Sequence, residues 1–173
     1  MTTELVLPAE TAAQQRVSGK FLTFRIGPES FGIEVTKVRE IMRLQPITRV
    51  PQMPPDVKGV LNLRGKIIPV MDLRLRLGIG ECLDTDQTCI VVVQVARCKG
   101  NAISMGLIVD GVEEVINLAA TEIEEAPNFG VTMDTAYILG MAKVKGKVKT
   151  LLVIDRVVGG DAALAATNLD TAS

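Results

Sequence analysis

The chain has 173 residues, 47% of them apolar and only 3% aromatic, with a formal net charge of −1 and no histidine. That length suits one domain or two small ones sharing a core, and an interior built mostly of Val, Ile and Leu favours strands. A near-neutral charge without a block of like residues gives no nucleic-acid or anionic-membrane surface, and the missing histidine removes the commonest general base and any Ser-His or Cys-His nucleophile.

The opening "MTTELVLPAETAAQQ" has neither the basic n-region nor the apolar h-region of a signal peptide. Residues 1–18 and 161–173 lack periodicity and are expected to be flexible tails. Between them the pattern is mainly short strands. "FLTFRI" meets "FGIEV" across "GPES", and "GVLNL" meets "KIIPV" across Arg64-Gly65, both hairpin signals. Four of the eight prolines fall in Gln45 to Pro55, which predicts irregular backbone or an edge strand there. "LRLRLG" alternates, predicting a strand with Leu73, Leu75 and Leu77 on one face and Arg74 and Arg76 on the other. "CIVVVQV" and "ISMGLIV" read as further strands, and "YILGMAKV" and "KVKTLLVI" flank Lys145-Gly146. Helical signal is scarce. Thr36 is placed to cap a short turn with Val38, Ile41 and Met42 inward, and Asp110 another with Val112, Val115 and Ile116 inward.

Two stretches recur. "GIEVTKVREI" (Gly32 to Ile41) aligns without a gap to "GLIVDGVEEV" (Gly106 to Val115), and "GVLNLRGKI" (Gly59 to Ile67) to "GMAKVKGKV" (Gly140 to Val148). Asp72 and Asp155 follow with a two-residue offset. The order is kept, so the chain is read as a duplication giving two similar β-units with a seam between them.

Chemistry is sparse. Cys82, Cys89 and Cys98 lack CxxC spacing and, without histidine, suggest reduced thiols rather than a metal site. "GVLNLRGKI" has five residues between its glycines and Ile67 after its lysine, so it fails the phosphate-loop pattern. Glu113-Glu114 and Glu124-Glu125 are neighbours that point apart and suit solvated surface. The longest uncharged apolar stretch, Thr88 to Ala96, is too short for a membrane span. A soluble, cytoplasmic binding module without enzymatic activity, cofactor or metal is expected. Three residues break the local pattern: Glu40 between Val38 and Ile41, Arg64 at a hairpin tip, and Phe129 in the polar loop "EEAPNFGV". Pattern alone leaves each open, as solvated charges and a barrel plug or as contact residues.

"FLTFRIGPESFGIEVTKVREI", "ITRVPQMPPDVKGVLNLRGKIIPVMDLRLRLG", "GLIVDGVEEVINL" and "ILGMAKVKGKVKTLLVID" together closely resemble CheW, the bacterial chemotaxis coupling family, over Gly19 to Val158. No kinase or receiver sequence flanks them, so the free-standing form is expected. The resemblance implies a mainly β fold of two small five-stranded SH3-like β-barrels packed together, with short helices, and it allows strands to be exchanged between barrels. The domain is expected over 19–160, with repeat units at about 21–78 and 89–159. The implied function is a non-catalytic adaptor joining the cytoplasmic tips of methyl-accepting chemoreceptors to the regulatory domain of the histidine kinase CheA in membrane-associated arrays. Self-association is left open. The motif residues that map to the receptor contact are Val38, Glu40, Ile41, Lys58 and Arg64, and the repeat adds Val112 and Val115. Phe129, with Glu124 and Glu125, falls in the region implied to make an array-building contact with the kinase. Alternatives are a similar adaptor of a non-chemotaxis sensory array, or a β-barrel binding a small molecule.

Overall fold

The first hairpin sets the pattern for the rest. In the computed structural model, which describes residues 19–78, 84–95, 102–125 and 137–158, β1 (Gly19–Ile26) and β2 (Glu29–Glu34) pair antiparallel with Phe24 opposite Phe31. A single 3-10 turn, Val35–Lys37, leads into β3 (Val38–Arg43). Then come β4 (Val57–Leu63), β5 (Lys66–Asp72) and a one-turn helix α1 (Leu73–Arg76). The second half supplies β6 (Cys89–Val95), β7 (Ile103–Val109) and β8 (Gly111–Leu118). It closes with the two-residue β9 (Ile123–Glu124), β10 (Ile138–Val144), β11 (Lys147–Leu152) and α2 (Ile154–Val157).

These strands form two sheets, in the orders β8-β1-β2-β11-β10-β9 and β3-β6-β7-β5-β4. Setting β9 aside, the orders are superposable: β1 answers β6, β2 answers β7, β3 answers β8, β4 answers β10 and β5 answers β11. Each sheet therefore combines the first hairpin of one repeat with the last three strands of the other. Strand exchange is present, and the sequence halves are not the structural halves. The joins are the parallel pairs β2–β11 and β5–β7. Even the irregularities are duplicated. Arg39 is the extra residue of a bulge in β3, and Glu113 of a bulge in β8.

Among the described residues three cores follow from this arrangement. Leu22, Phe24, Ile26 and Ile33 of one sheet pack against Val91, Val93, Met105 and Leu107 of the other, forming the central core between barrels. Leu61, Ile68, Val70, Ile90, Val92 and Ile108 fill one barrel, and Phe21, Leu118, Ala142 and Leu151 the other. Each fully buried side chain of this kind contributes about 1.5–3 kcal/mol before chain entropy is counted. The expected mainly β fold of two small barrels is found, with the difference that one sheet carries the short β9 as a sixth strand.

The repeated glycines have concrete jobs. A Cβ on Gly59, at φ +148°, would lie 2.0 Å from the Thr48 carbonyl oxygen, because Thr48 bridges to Val60 across that point. On Gly140 it would lie 2.8 Å from the Glu124 carbonyl oxygen, where β9 crosses β10. The turns Arg64-Gly65 (φ 53° and 83°) and Lys145-Gly146 (φ 52° and 80°) place both central residues at positive φ, as a type I′ hairpin turn requires.

Several expectations are corrected. "LRLR" is the helix α1, not a strand: Asp72 caps it by accepting from the Arg74 amide at 3.0 Å, and Leu77 N–H donates to Leu73 O. Arg74 is accordingly buried at 3% exposure while Leu75 is exposed. Thr36 caps nothing, and Asp110 starts no helix. β-Branched Val and Ile keep both segments extended, so β3 and β8 are strands. Ile41 and Val115 thereby point outward at 45% and 53% exposure, not inward as expected. Nor are Asp72 and Asp155 equivalent. Asp72 precedes its helix as the cap, whereas Asp155 lies inside α2 and pairs with Lys37 at 2.9 Å.

Candidate functional site

β3 and β4 are opposite edges of their five-stranded sheet. The sheet curls until the Arg64 guanidinium, at the β4–β5 tip, donates to the Glu40 carboxylate on β3 at 2.6 Å. This pair closes one end of the barrel, and Arg64 stays 76% exposed. The other barrel repeats the device: Lys145, at the β10–β11 tip, lies 3.5 Å from Glu114 on β8. Beside each pair is an exposed aliphatic residue, Ile41 in one case and Val115 in the other. The structure thus presents two copies of one motif, an acid–base pair next to an apolar side chain.

Other expected contact residues are placed differently. Val38 and Val112 are half-buried against the central core, where they support the edge strands more than they face solvent. Lys58 lies at the start of β4, about 20 Å along the strand from Arg64 at ~3.3 Å per residue, and reaches toward Asp72 at 4.0 Å. Glu40, Ile41 and Arg64 are brought together; Lys58 is not part of that group. Glu124 ends β9 and, like Glu125, is exposed, while Phe129 lies outside the described residues.

Ionic features missed from sequence hold the seam. The chain crosses between sheets twice, at Val35–Lys37 and at Asp110. At the second crossing Arg74 binds Asp72 with two nitrogens, at 2.9 and 3.0 Å, and also Asp84 at 3.0 Å and Asp110 at 3.1 Å. Burial alone would lower the Arg74 pKa, but the hydrogen bonds to Asp72 and Asp84, the Asp72 charge and the Asp110 hydrogen bond outweigh it and raise it. At the first crossing Lys37 pairs with Asp155. The polarity is reversed between the two crossings. Arg76 ties both helices by donating to the Val157 carbonyl at 2.7 Å and to Asp56, and its guanidinium lies over the Tyr137 ring.

Glu113 is not simple solvated surface. It accepts from Lys149 at 3.0 Å, and Lys149 is only 4% exposed. Burial works against its ionisation, yet hydrogen bonds from Lys149 and Ser30, with the Lys149 and Arg25 charges, hold its carboxyl below the ordinary range. Cys89 is half-buried; burial raises its thiol pKa, and the Val112 backbone and the Arg25 charge offset this only in part.

Two open hollows lie among the described residues. One hollow of about 240 Å³ sits where Leu44, Ile47, Lys58 and Ile108 meet, and another of about 250 Å³ beside Met53 and Val57. Both are open and smaller than the roughly 300–1,000 Å³ of typical ligand sites. Among the described residues no group of His, Cys, Asp and Glu has a metal-binding arrangement, and no helix is long and apolar enough to cross a membrane.

Comparison with known proteins agrees with this architecture. The family model described as the CheW-like domain matches residues 20–161. The chain is 33% identical over 149 residues to a chemotaxis protein CheW of Klebsiella aerogenes, covering 86% of this chain and 87% of that one. It is 37% identical over 143 residues to a chemotaxis protein CheW of Bacillus subtilis, covering 83% and 87% respectively. The crystal structure of the scaffolding protein TtCheW from Thermoanaerobacter tengcongensis superposes with a TM-score of 0.73 at 33% identity, covering 84% of this chain and 91% of that one.

Proposed function

The chain belongs to the CheW-like domain family, and on that premise we propose that it is a non-catalytic chemotaxis adaptor. It couples the cytoplasmic tips of chemoreceptors to the regulatory domain of the histidine kinase CheA, working in the cytoplasm on membrane-associated arrays. The observation that carries this role is the duplicated motif: each barrel is closed by an acid–base pair beside an exposed aliphatic residue. An adaptor needs two faces, and two barrels of one architecture supply them.

The receptor tip is a helical hairpin, and a helix held on such a surface wants an apolar anchor with charges that fix its register. Ile41 is the anchor, and Glu40 and Arg64 are the charges. Because Glu40 and Arg64 already bind each other, a partner engages them by exchanging one ion pair for another, which favours specificity over raw affinity. Val38 and Val112 hold the strands in place, with Val115 on the second edge and Lys58 at the far end of β4. Glu124, Glu125 and Phe129 belong to the kinase and array contact.

Titration of the protein against a receptor-tip fragment and, separately, against the isolated CheA regulatory domain tests this role. Saturable binding to both is expected, with Arg64→Glu weakening the receptor arm alone. No binding in either arm would overturn the adaptor role. Equal loss in both arms would overturn the separation of faces.

A further inference from the structure

Rotating one repeat onto the other sets β3 and β8 side by side as equivalent edge strands, and their outward residues are not equivalent in charge. Along β3 the exposed positions alternate as Arg39, Ile41 and Arg43; along β8 they are Glu113, Val115 and Asn117. The fold position and a central aliphatic side chain are shared, but a base faces an acid at the first position and a neutral amide at the last. The difference is sharpened by what each charge already touches. Glu113 is bound by Lys149, whereas no ion pair or hydrogen bond ties the side chain of Arg39 or Arg43 to another described residue. Lys149 has the buried, apolar Ile68 as its counterpart on β5, so no charge stands at the equivalent place to engage Arg39.

We propose that the receptor contact on β3 selects an acidic helix through Arg39 and Arg43: one with carboxylates about two turns apart bracketing an apolar residue that sits on Ile41. This rests on the adaptor role above and names the chemistry of its receptor contact. The spacing follows from geometry. Four residues of strand span about 13 Å, slightly less with the bulge, and eight residues of helix span about 12 Å. Two unpaired guanidiniums at that interval face carboxylates on successive exposed turns of one helix, and each forms a charge-assisted hydrogen bond there. On β8 the same helix would set its carboxylates against Glu113 and Asn117, so like-charge contact rejects it.

A simpler role for the two arginines is to guard a sheet edge against strand pairing, as charged residues and bulges do. Glutamate guards an edge as well as arginine does, and β8 is an edge without any outward base. Charge reversal therefore separates the two roles. Wild-type protein, Arg39→Glu/Arg43→Glu and a control of equal charge change on the other barrel, Lys143→Glu/Lys147→Glu, are titrated against a receptor-tip hairpin fragment at low and high salt. The same fragment with its surface carboxylates changed to lysine provides the reciprocal arm. The β3 double variant is expected to bind the native fragment about tenfold more weakly at low salt, with a flattened salt dependence, and to regain affinity for the lysine fragment. The control is expected to stay within about twofold of wild type. Wild-type binding that the β3 reversal leaves unchanged, or that the control weakens equally, overturns the assignment while leaving the adaptor role intact. Failure of wild type to bind the native fragment overturns the receptor role and this assignment together.

Discussion

Replacing Arg74 by methionine isolates a buried ion pair at the seam. The guanidinium is 3% exposed and the Asp72 carboxylate 0%, so neither is rescued by water. With methionine the side chain still fills much of the space, but among the described residues the Asp72 carboxylate keeps only the residue-74 amide, at 3.0 Å, and Lys58, at 4.0 Å. Leaving a buried charge without its counter-ion costs about 3–5 kcal/mol, a large part of the ~5–15 kcal/mol that holds a domain folded. For a chain of this size that lowers Tm by about 6–20 °C. Removing the carboxylate as well, in Arg74→Met/Asp72→Leu, takes away the stranded charge. The double variant is then expected to lie within about 1–2 kcal/mol of wild type, the remainder being the lost cap of α1. Urea unfolding followed by circular dichroism measures all three proteins. A single variant costing less than about 1 kcal/mol, or a double variant no more stable than the single, would refute the reasoning.

Gly59→Ala and Gly140→Ala are expected to destabilise by several kcal/mol each, because the new methyl meets carbonyl backbone at 2.0 and 2.8 Å; Gly65→Ala, with open space around it, costs only about 1 kcal/mol of turn strain. Thermal melts ranking Gly65→Ala as the worst would contradict this. Glu113→Gln should cost about 2 kcal/mol at neutral pH. Its folded-state carboxyl titrates below the unfolded value of about 4.3, so the wild-type advantage is present above that pH and disappears as pH falls through the folded value. Stability curves that converge at high pH rather than low would reverse the sign. Cys89 is half-buried with a raised thiol pKa and should react with iodoacetamide far more slowly at pH 7 than a free thiol does; mass mapping of the alkylated peptide decides it.

Local chemistry was readable, and topology was not. The Arg64-Gly65 and Lys145-Gly146 turns announce themselves because two successive positive-φ residues need one of few sequences. Gly59 and Gly140 recur for an equally local reason, the close crossing of a second strand. By contrast, "LRLR" satisfies a two-residue period and one turn of helix alike, and a buried Arg74 is tolerable because the distant carboxylates of Asp84 and Asp110 join Asp72 around its guanidinium. Lys58 and Arg64 belong to one short motif, yet an extended strand carries them to opposite ends. Strand exchange leaves no local trace, since β3 is equally apolar whichever hairpin it joins. The basic edge was written in the ungapped repeat itself, which sets Arg39 against Glu113. Its meaning needed the knowledge that both are outward bulge residues, one free of ion pairs among described residues and one bound.

Because the chain crosses between sheets at residues 35–37 and again at 110, the two barrels are unequal during synthesis. The barrel of β3 to β7 is one continuous run and has all its strands once Val109 has left the ribosome. The other is assembled from the two ends of the chain. Its first hairpin, β1–β2, is made earliest and has both lateral partners, β8 and β11, made last. At ribosomal rates of about 5–20 residues per second, the roughly 75 residues between that hairpin and β8 take about 4–15 seconds. For that interval Phe21, Leu22 and Phe24 sit on a ribbon with two open edges. The finished protein therefore carries a birth-order hazard in its topology: its oldest strands depend on its youngest, and a stalled or truncated chain leaves them exposed.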